Sequence, residues 1–436
     1  MFDEHPLRRT LAEEIHARPP EDMAAPVQVS HIAVISGEDG MAPHVAHLEA
    51  LCKHFRVAPP AADATHFSTE LGELRLKWER HTEFSTFTIM RGGVSDQPFK
   101  QTAIDSLPKD WVSGLPGQVI AACHVAVETG QGSQRSPSDL AGLFDNNPLT
   151  GSIVAGGKAR LWADFQLHAD GFTRFLCNVG EISPSTLGRL VQRILEIETY
   201  RMMAMLAFPL AKESRPRLAA VEKRLGGIIT RLGTREAVED ERQLLDDLSA
   251  LAAETEAVNV ATAYRFAAAR AYHELIKRRM AAMREERIDG VPRAMEFFDR
   301  RFAPAMESCE NLSIRIERLS ERISRATSLL RTRVDVALEA QNRDLLESMN
   351  RRARLQLRLQ QTVEGLSVVA ISYYLLSLVS YLAKGAKHAG FLPIDPYEVV
   401  AIAFVPVVVG IWFGVKRVRH VIETSAKESG KPPLDR

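Results

Sequence analysis

Two uncharged runs near the end of the chain constrain it more than anything before them. Residues 366–383 contain no Asp, Glu, Lys or Arg, and residues 397–415 contain only Glu398. The hydrocarbon core of a bilayer, roughly 30 Å thick, is crossed by about 20 helical residues. One such run can be a buried core helix, but two in tandem, joined by a polar turn with Gly390, Pro393 and Pro396, predict a transmembrane hairpin. Arg351, Arg352, Arg354 and Arg358 precede the first run and Lys416, Arg417, Arg419 and Lys427 follow the second, against Lys384 and Lys387 in the loop. By the positive-inside rule both termini face the cytoplasm, and the lipid bilayer is the first expected partner.

The first run is two-sided. At 3.6 residues per turn, Val368, Ile371, Leu375, Leu378, Val379 and Leu382 share one arc, while Gly365, Ser372, Tyr373, Ser377 and Ser380 share the other. The hydroxyls either bond across to the neighbouring span or line a pore, for which Ser372, Tyr373, Ser377, Ser380, Tyr381 and Lys384 are the candidate lining. The second run holds Gly410 and Gly414 at a spacing that permits close helix approach, and Pro406, which kinks a helix.

Long helices are expected upstream. Residues 305–364 lack Gly and Pro, and Leu312, Ile316, Leu319, Ile323, Ala326 and Leu330 keep the four-three rhythm of a helical seam. Continuing it reaches Arg333, Ala337, Gln341, Asp344, Ser348 and Arg352, so the helix there faces something polar or changes face. A second Gly- and Pro-free stretch, 236–289, carries Leu244, Leu248, Leu251, Thr255, Val258 and Thr262 at the same spacing and is expected to fold back on the stalk at Gly290 and Pro292. An earlier helix is expected to start at Ser183-Pro184, a capping residue followed by a first-turn proline.

The first 182 residues differ. Segments 27–36, 66–78, 84–90, 118–129, 151–168 and 172–179 are rich in β-branched and aromatic residues between turn signals, with one helix over 41–55. That mixture predicts an α+β domain with a mainly antiparallel sheet. The resulting plan is a cytoplasmic α+β domain (1–182), a helical domain (183–292), a long stalk helix (293–365), the hairpin (366–420) and a cytoplasmic tail (421–436).

Several function classes drop out. The 55 basic residues equal the 55 acidic ones, so charge gives no nucleic-acid footprint. Cys52, Cys123, Cys177 and Cys309 have no CxxC spacing, which argues against a zinc ribbon or a disulfide framework and fits a reducing interior. The N-terminus lacks the apolar core of a signal peptide, so the late runs are expected to drive insertion. His44, His47 and His54 share a side of the 41–55 helix without a carboxylate at ligand spacing, so an exposed flank is expected rather than a metal site. Eight of the thirteen histidines precede residue 82, which makes that region the place to look for pH dependence. GLFDNNP (142–148) and the glycines of GSIVAGGKAR match neither phosphate-loop pattern and read as turns. No catalytic motif or cofactor fingerprint stands out, so no enzyme activity, cofactor or metal is expected.

In EEIHARPP a short helix is stopped by two prolines, and His16 and Arg18 are candidates to contact a partner or an anion. In EIETYR, Glu196, Glu198, Tyr200 and Arg201 are expected to form a buried polar network or an Arg–carboxylate pair that fixes helix packing.

Four segments, EIHARPP, GSIVAGGKARLWADFQLHADGFTRFLC, GRLVQRILEIETYRMMAMLAFPLAK and VEGLSVVAISYYLLSLVSYLAKG, resemble a bacterial family of predicted membrane-anchored proteins with no established activity. The likeness spans nearly the whole chain and implies location and topology. More remotely, the architecture resembles the CorA-type magnesium channels, which implies a pentamer with the first span around a pore. Where that superfamily carries Gly-Met-Asn, this chain has Tyr381-Leu382-Ala383-Lys384-Gly385, so magnesium selectivity does not carry over. The leading expectation is a homo-oligomer of the bacterial inner membrane with CorA-like architecture, possessing ion transport or a vestigial channel. The alternative is a membrane-anchored scaffold whose soluble helices bind another protein.

Overall fold

The computed structural model describes residues 4–9, 11–12, 20–36, 40, 42–61, 64–130, 135–233, 239–389 and 393–429. They form two compact units, 1–330 and 331–436.

The first unit is built on nine strands: β1 (Val27–Ile35), β2 (His66–Leu71), β3 (Leu74–Arg80), β4 (Phe84–Gly92), β5 (Gln118–Thr129), β6 (Thr150–Val154), β7 (Ala159–Ala163), β8 (Thr173–Val179) and β9 (Glu286–Arg287). Their order is β2-β3-β4-β1-β5-β8-β7-β6-β9. Every pairing is antiparallel except β5 with β8. The expected strand over 66–78 is a hairpin, broken where Gly72 takes a φ of +71° that only glycine adopts without penalty. The stretch 151–168 is likewise a hairpin, β6–β7, turning through Ala155, Gly156 and Gly157 at positive φ. β9 comes from the helical region and pairs with β6.

Alternation along the strands sorts the residues between two faces. One face carries Ile32, Val34, Leu76, Trp78, Phe87 and Ile89 against Leu48 and Leu51 of α1 (Ala42–Phe55) and Trp111 of α2 (Lys109–Ser113), a conventional apolar core. Each such side chain stabilises the fold by about 1.5–3 kcal/mol. After α3 (Pro137–Leu143), the other face of the central strands is covered by α4 (Pro184–Met205). This helix starts as its sequence dictates, with the Ser183 hydroxyl accepting from Thr186 N–H and Pro184 in the first turn.

α5 (Ala207–Gly233) and α6 (Glu239–Met283) follow, and α6 packs chiefly on α4 and α5. Its expected seam, Leu244 to Thr262, is buried throughout. After α7 (Ala294–Phe297) and one π turn, α8 runs unbroken over Ala303–His388. Its seam from Leu312 to Leu330 is buried, and Arg315 pairs with Glu222 of α5 at 2.8 Å.

The second unit comprises the rest of α8 and α9 (Pro396–Ser429). No side chain between Arg331 and Ile371 is buried. Both helices are long and apolar enough to cross a membrane. Their most apolar windows are 11% and 0% buried, unlike the core helix of a soluble protein.

Candidate functional site

The hairpin closes along one seam. Ser372 and Ala383 are buried, with Val368, Leu376 and Val379 half-buried beside them. On α9, Val399, Ala403, Val407, Ile411 and Val415 recur every four residues and are half-buried. The seam therefore mixes residues of both arcs, because the small side chains Ser372 and Ala383 admit the closest approach. Ile371, Leu375, Leu378 and Leu382 remain exposed, as a lipid-facing arc requires.

Serine hydroxyls in this region satisfy themselves within their own helix. Ser372 Oγ donates to the Val368 carbonyl at 2.7 Å and Ser377 Oγ to that of Tyr373 at 2.8 Å, a bonding mode that needs no second helix. Ser380 is half-buried, whereas Tyr373 and Tyr381 stand exposed. Lys384 and Lys387, expected in the loop, lie in the last turns of α8; Lys384 is 5.9 Å from the centre of the Tyr397 ring and Lys387 pairs with Asp395 at 3.6 Å, so both have partners on α9's side of the turn. A Cβ added at Gly410 or Gly414 would meet nothing within 4 Å, and Gly414 lies with Ile411 and Val415 in a groove that Leu359 and Val363 of α8 also line.

His16 and Arg18 lie outside the described residues. The segment just after them, from Glu21, crosses the start of α4. Met23 N–H donates to the Pro184 carbonyl at 3.1 Å, and the Glu21 carbonyl sits where a Cβ on Gly188 would have to go. Only glycine fits there.

EIETYR is the centre of a buried polar layer between α4 and the sheet. Glu198, 1% exposed, holds Arg201 through two hydrogen bonds of 2.5 and 3.0 Å and accepts from Thr173 of β8 at 3.1 Å. Thr199 bonds His31 of β1 at 3.0 Å, and His31 reaches Thr88 of β4 at 2.8 Å. Glu196 pairs with Arg279 of α6. Burial pushes the His31 pKa down to about 3, with His81 and Lys77 adding to the effect, so the ring is neutral. The layer extends to Lys77 and Glu79, paired at 3.1 Å, and to Thr86. His31, Lys77, Thr86 and Thr88 went unrecognised in the sequence because polar residues alternating along a strand read as a solvent-facing side. The available signal was that three of them, His31, Thr86 and Thr88, lie on β1 and β4, central strands of the sheet, where neither face meets water.

The helix histidines divide. His44 is not on an exposed flank: at 1% exposure it bonds Ser85 beneath α1, because its position faces the sheet. His47 bonds the Trp111 carbonyl at 2.9 Å, and His54 is exposed. Elsewhere, the turn of GLFDNNP presents Asp145 to His168 Nδ1 at 2.7 Å, while His168 Nε2 lies 2.9 Å from Asp164. The His168 hydrogen bond holds the Asp145 carboxyl below its usual range. Among the described residues no cluster of metal-ligating side chains occurs.

No curated protein and no solved structure matches the chain. The family model described as protein of unknown function, DUF3422, matches residues 3–422, from the N-terminal segment through the second apolar helix, and the chain belongs to that family.

Proposed function

We propose that the protein is a homo-oligomer anchored in the bacterial inner membrane by the α8–α9 hairpin, with both termini cytoplasmic. The observation that carries this reading is the exposure of α8 beyond Leu330. Leu338, Leu345, Met349, Leu359 and Val363 fall within one arc of the helix, and each is more than 50% exposed. A lone helix with such a stripe is not stable in water, whereas neighbouring copies bury it. Gly410 and Gly414, open on α9, suit close contact with another span.

CorA-like architecture and ion transport are the finer form of this reading. In a ring, Tyr373, Tyr381 and Lys384 would be the polar side chains of the first span available to a pore, and a ring of lysines favours anions. The second reading, a membrane-anchored scaffold without conduction, is favoured by the internal bonding of Ser372 and Ser377, which leaves little free polarity along the span. Liposomes reconstituted with full-length protein separate the two. Anion flux altered by Lys384→Glu supports transport; no flux for any ion from a purified oligomer supports the scaffold.

A further inference from the structure

The polar layer beneath α4 is not closely packed. Between α4, β1, β3, β4 and α6 lies a cavity of about 280 Å³. At about 30 Å³ of liquid volume per water, it accommodates a molecule of roughly nine or ten non-hydrogen atoms. The Glu21–Met23 segment contributes to its wall, and the Gly188 position leaves that segment room to do so.

Its lining is charged yet balanced. Glu79 pairs with Lys77 at 3.1 Å, Glu196 pairs with Arg279, and Glu21 pairs at 3.1 Å with Arg75 just outside. A ligand with net charge would upset this one-to-one balance, whereas a dipolar ion leaves it intact. One polar group is left over: Thr86, 3% exposed, is among the residues that line the cavity, and its buried hydroxyl has no hydrogen-bond partner in the protein. An unpaired buried hydroxyl costs about 1–3 kcal/mol, which a ligand acceptor would recover. Apolar surface from Met23, Phe84, Met90 and Leu195, all under 9% exposed, completes the wall.

We propose that this cavity binds a small zwitterion of the free aliphatic α-amino acid class. The ligand carboxylate meets Lys77 and the Thr86 hydroxyl on the sheet side, the ammonium meets Glu196 on α4, and the aliphatic side chain lies against Met23, Phe84, Met90 and Leu195. The protein is thereby a receptor for an amino acid, independent of whether its hairpin conducts.

The test is calorimetric titration of full-length protein in detergent with each aliphatic amino acid. At least one binds, and its two singly charged analogues, the amine lacking the carboxylate and the acid lacking the ammonium, bind at least about tenfold more weakly. Thr86→Val, nearly isosteric, weakens binding about tenfold while raising the ligand-free melting temperature above that of the parent, because the unpaired hydroxyl is gone. Hydrogen exchange on the unmodified protein supplies a readout that needs no variant: the amino acid slows exchange in residues 21–23, 84–90 and 188–200. The proposal is overturned if no aliphatic amino acid binds at millimolar concentration, if the singly charged analogues bind equally well, or if protection appears elsewhere.

Discussion

His31 on β1 and Thr199 on α4, 168 positions apart, share a buried hydrogen bond of 3.0 Å that ties the first strand to the helix covering it. Burial lowers the His31 pKa from 6.5 to about 3, and His124, also buried, is lowered to about 4. Between those values and 6.5 the unfolded chain binds more protons than the folded one, so stability rises with pH in that window. Both contributions are complete above pH 6.5 and are lost as the pH falls towards 3 to 4. Urea midpoints are therefore expected to hold steady from about pH 8 to 7 and to fall steeply below about pH 6.5, with a shallower fall in His31→Gln. Equal slopes in parent and variant would remove His31 from this account.

The Glu198–Arg201 pair is a structural anchor. Removing one partner of a buried ion pair costs about 3–5 kcal/mol because the other charge is stranded. Arg201→Ala, which leaves Glu198 buried and uncompensated, is expected to cost this much in denaturant unfolding. Glu198→Gln, which keeps the Thr173 contact, is expected to cost less.

Gly188→Ala sets a Cβ against the Glu21 carbonyl. Overpacking of this kind costs about 1–3 kcal/mol and is relieved by displacing the N-terminal segment. Limited proteolysis should then cut near Glu21 faster than in the parent; an unchanged cleavage rate would mean the segment does not pack on α4.

Leu345→Asp combined with Leu359→Asp places charge on the exposed stripe of α8. Light scattering of the detergent-solubilised protein should report a drop in mass towards one subunit, while the melting of the first unit stays unchanged. An oligomer that survives both changes does not assemble through this stripe.

The sequence and the structure agree where local signals are strong. The Ser183-Pro184 start of α4, the seam from Leu312 to Leu330 and the two uncharged runs were all legible, because capping, helical period and length act within one element. What stayed hidden is relational. Lys77 and Thr86 occupy positions that alternate with apolar residues, and nothing local states whether water or α4 faces them. The Gly72 turn was masked because Leu71 and Leu74 continue the apolar rhythm across it. His44 was misplaced for the same reason: a helix flank is exposed or buried according to its neighbours.

Membrane insertion with both termini inside is the claim on which the proposed function depends, and cysteine labelling tests it most directly. The four native cysteines are buried and stay silent in the folded protein. Lys387→Cys, in the last turn of α8 before the loop, and Arg352→Cys, before the first span, are each expressed in full-length protein and exposed to a membrane-impermeant maleimide delivered to the outer face of the inner membrane. Labelling of position 387 in intact membranes, with position 352 reached only after permeabilisation, is the predicted result. Labelling of position 352 before permeabilisation, or of neither position until then, would contradict it.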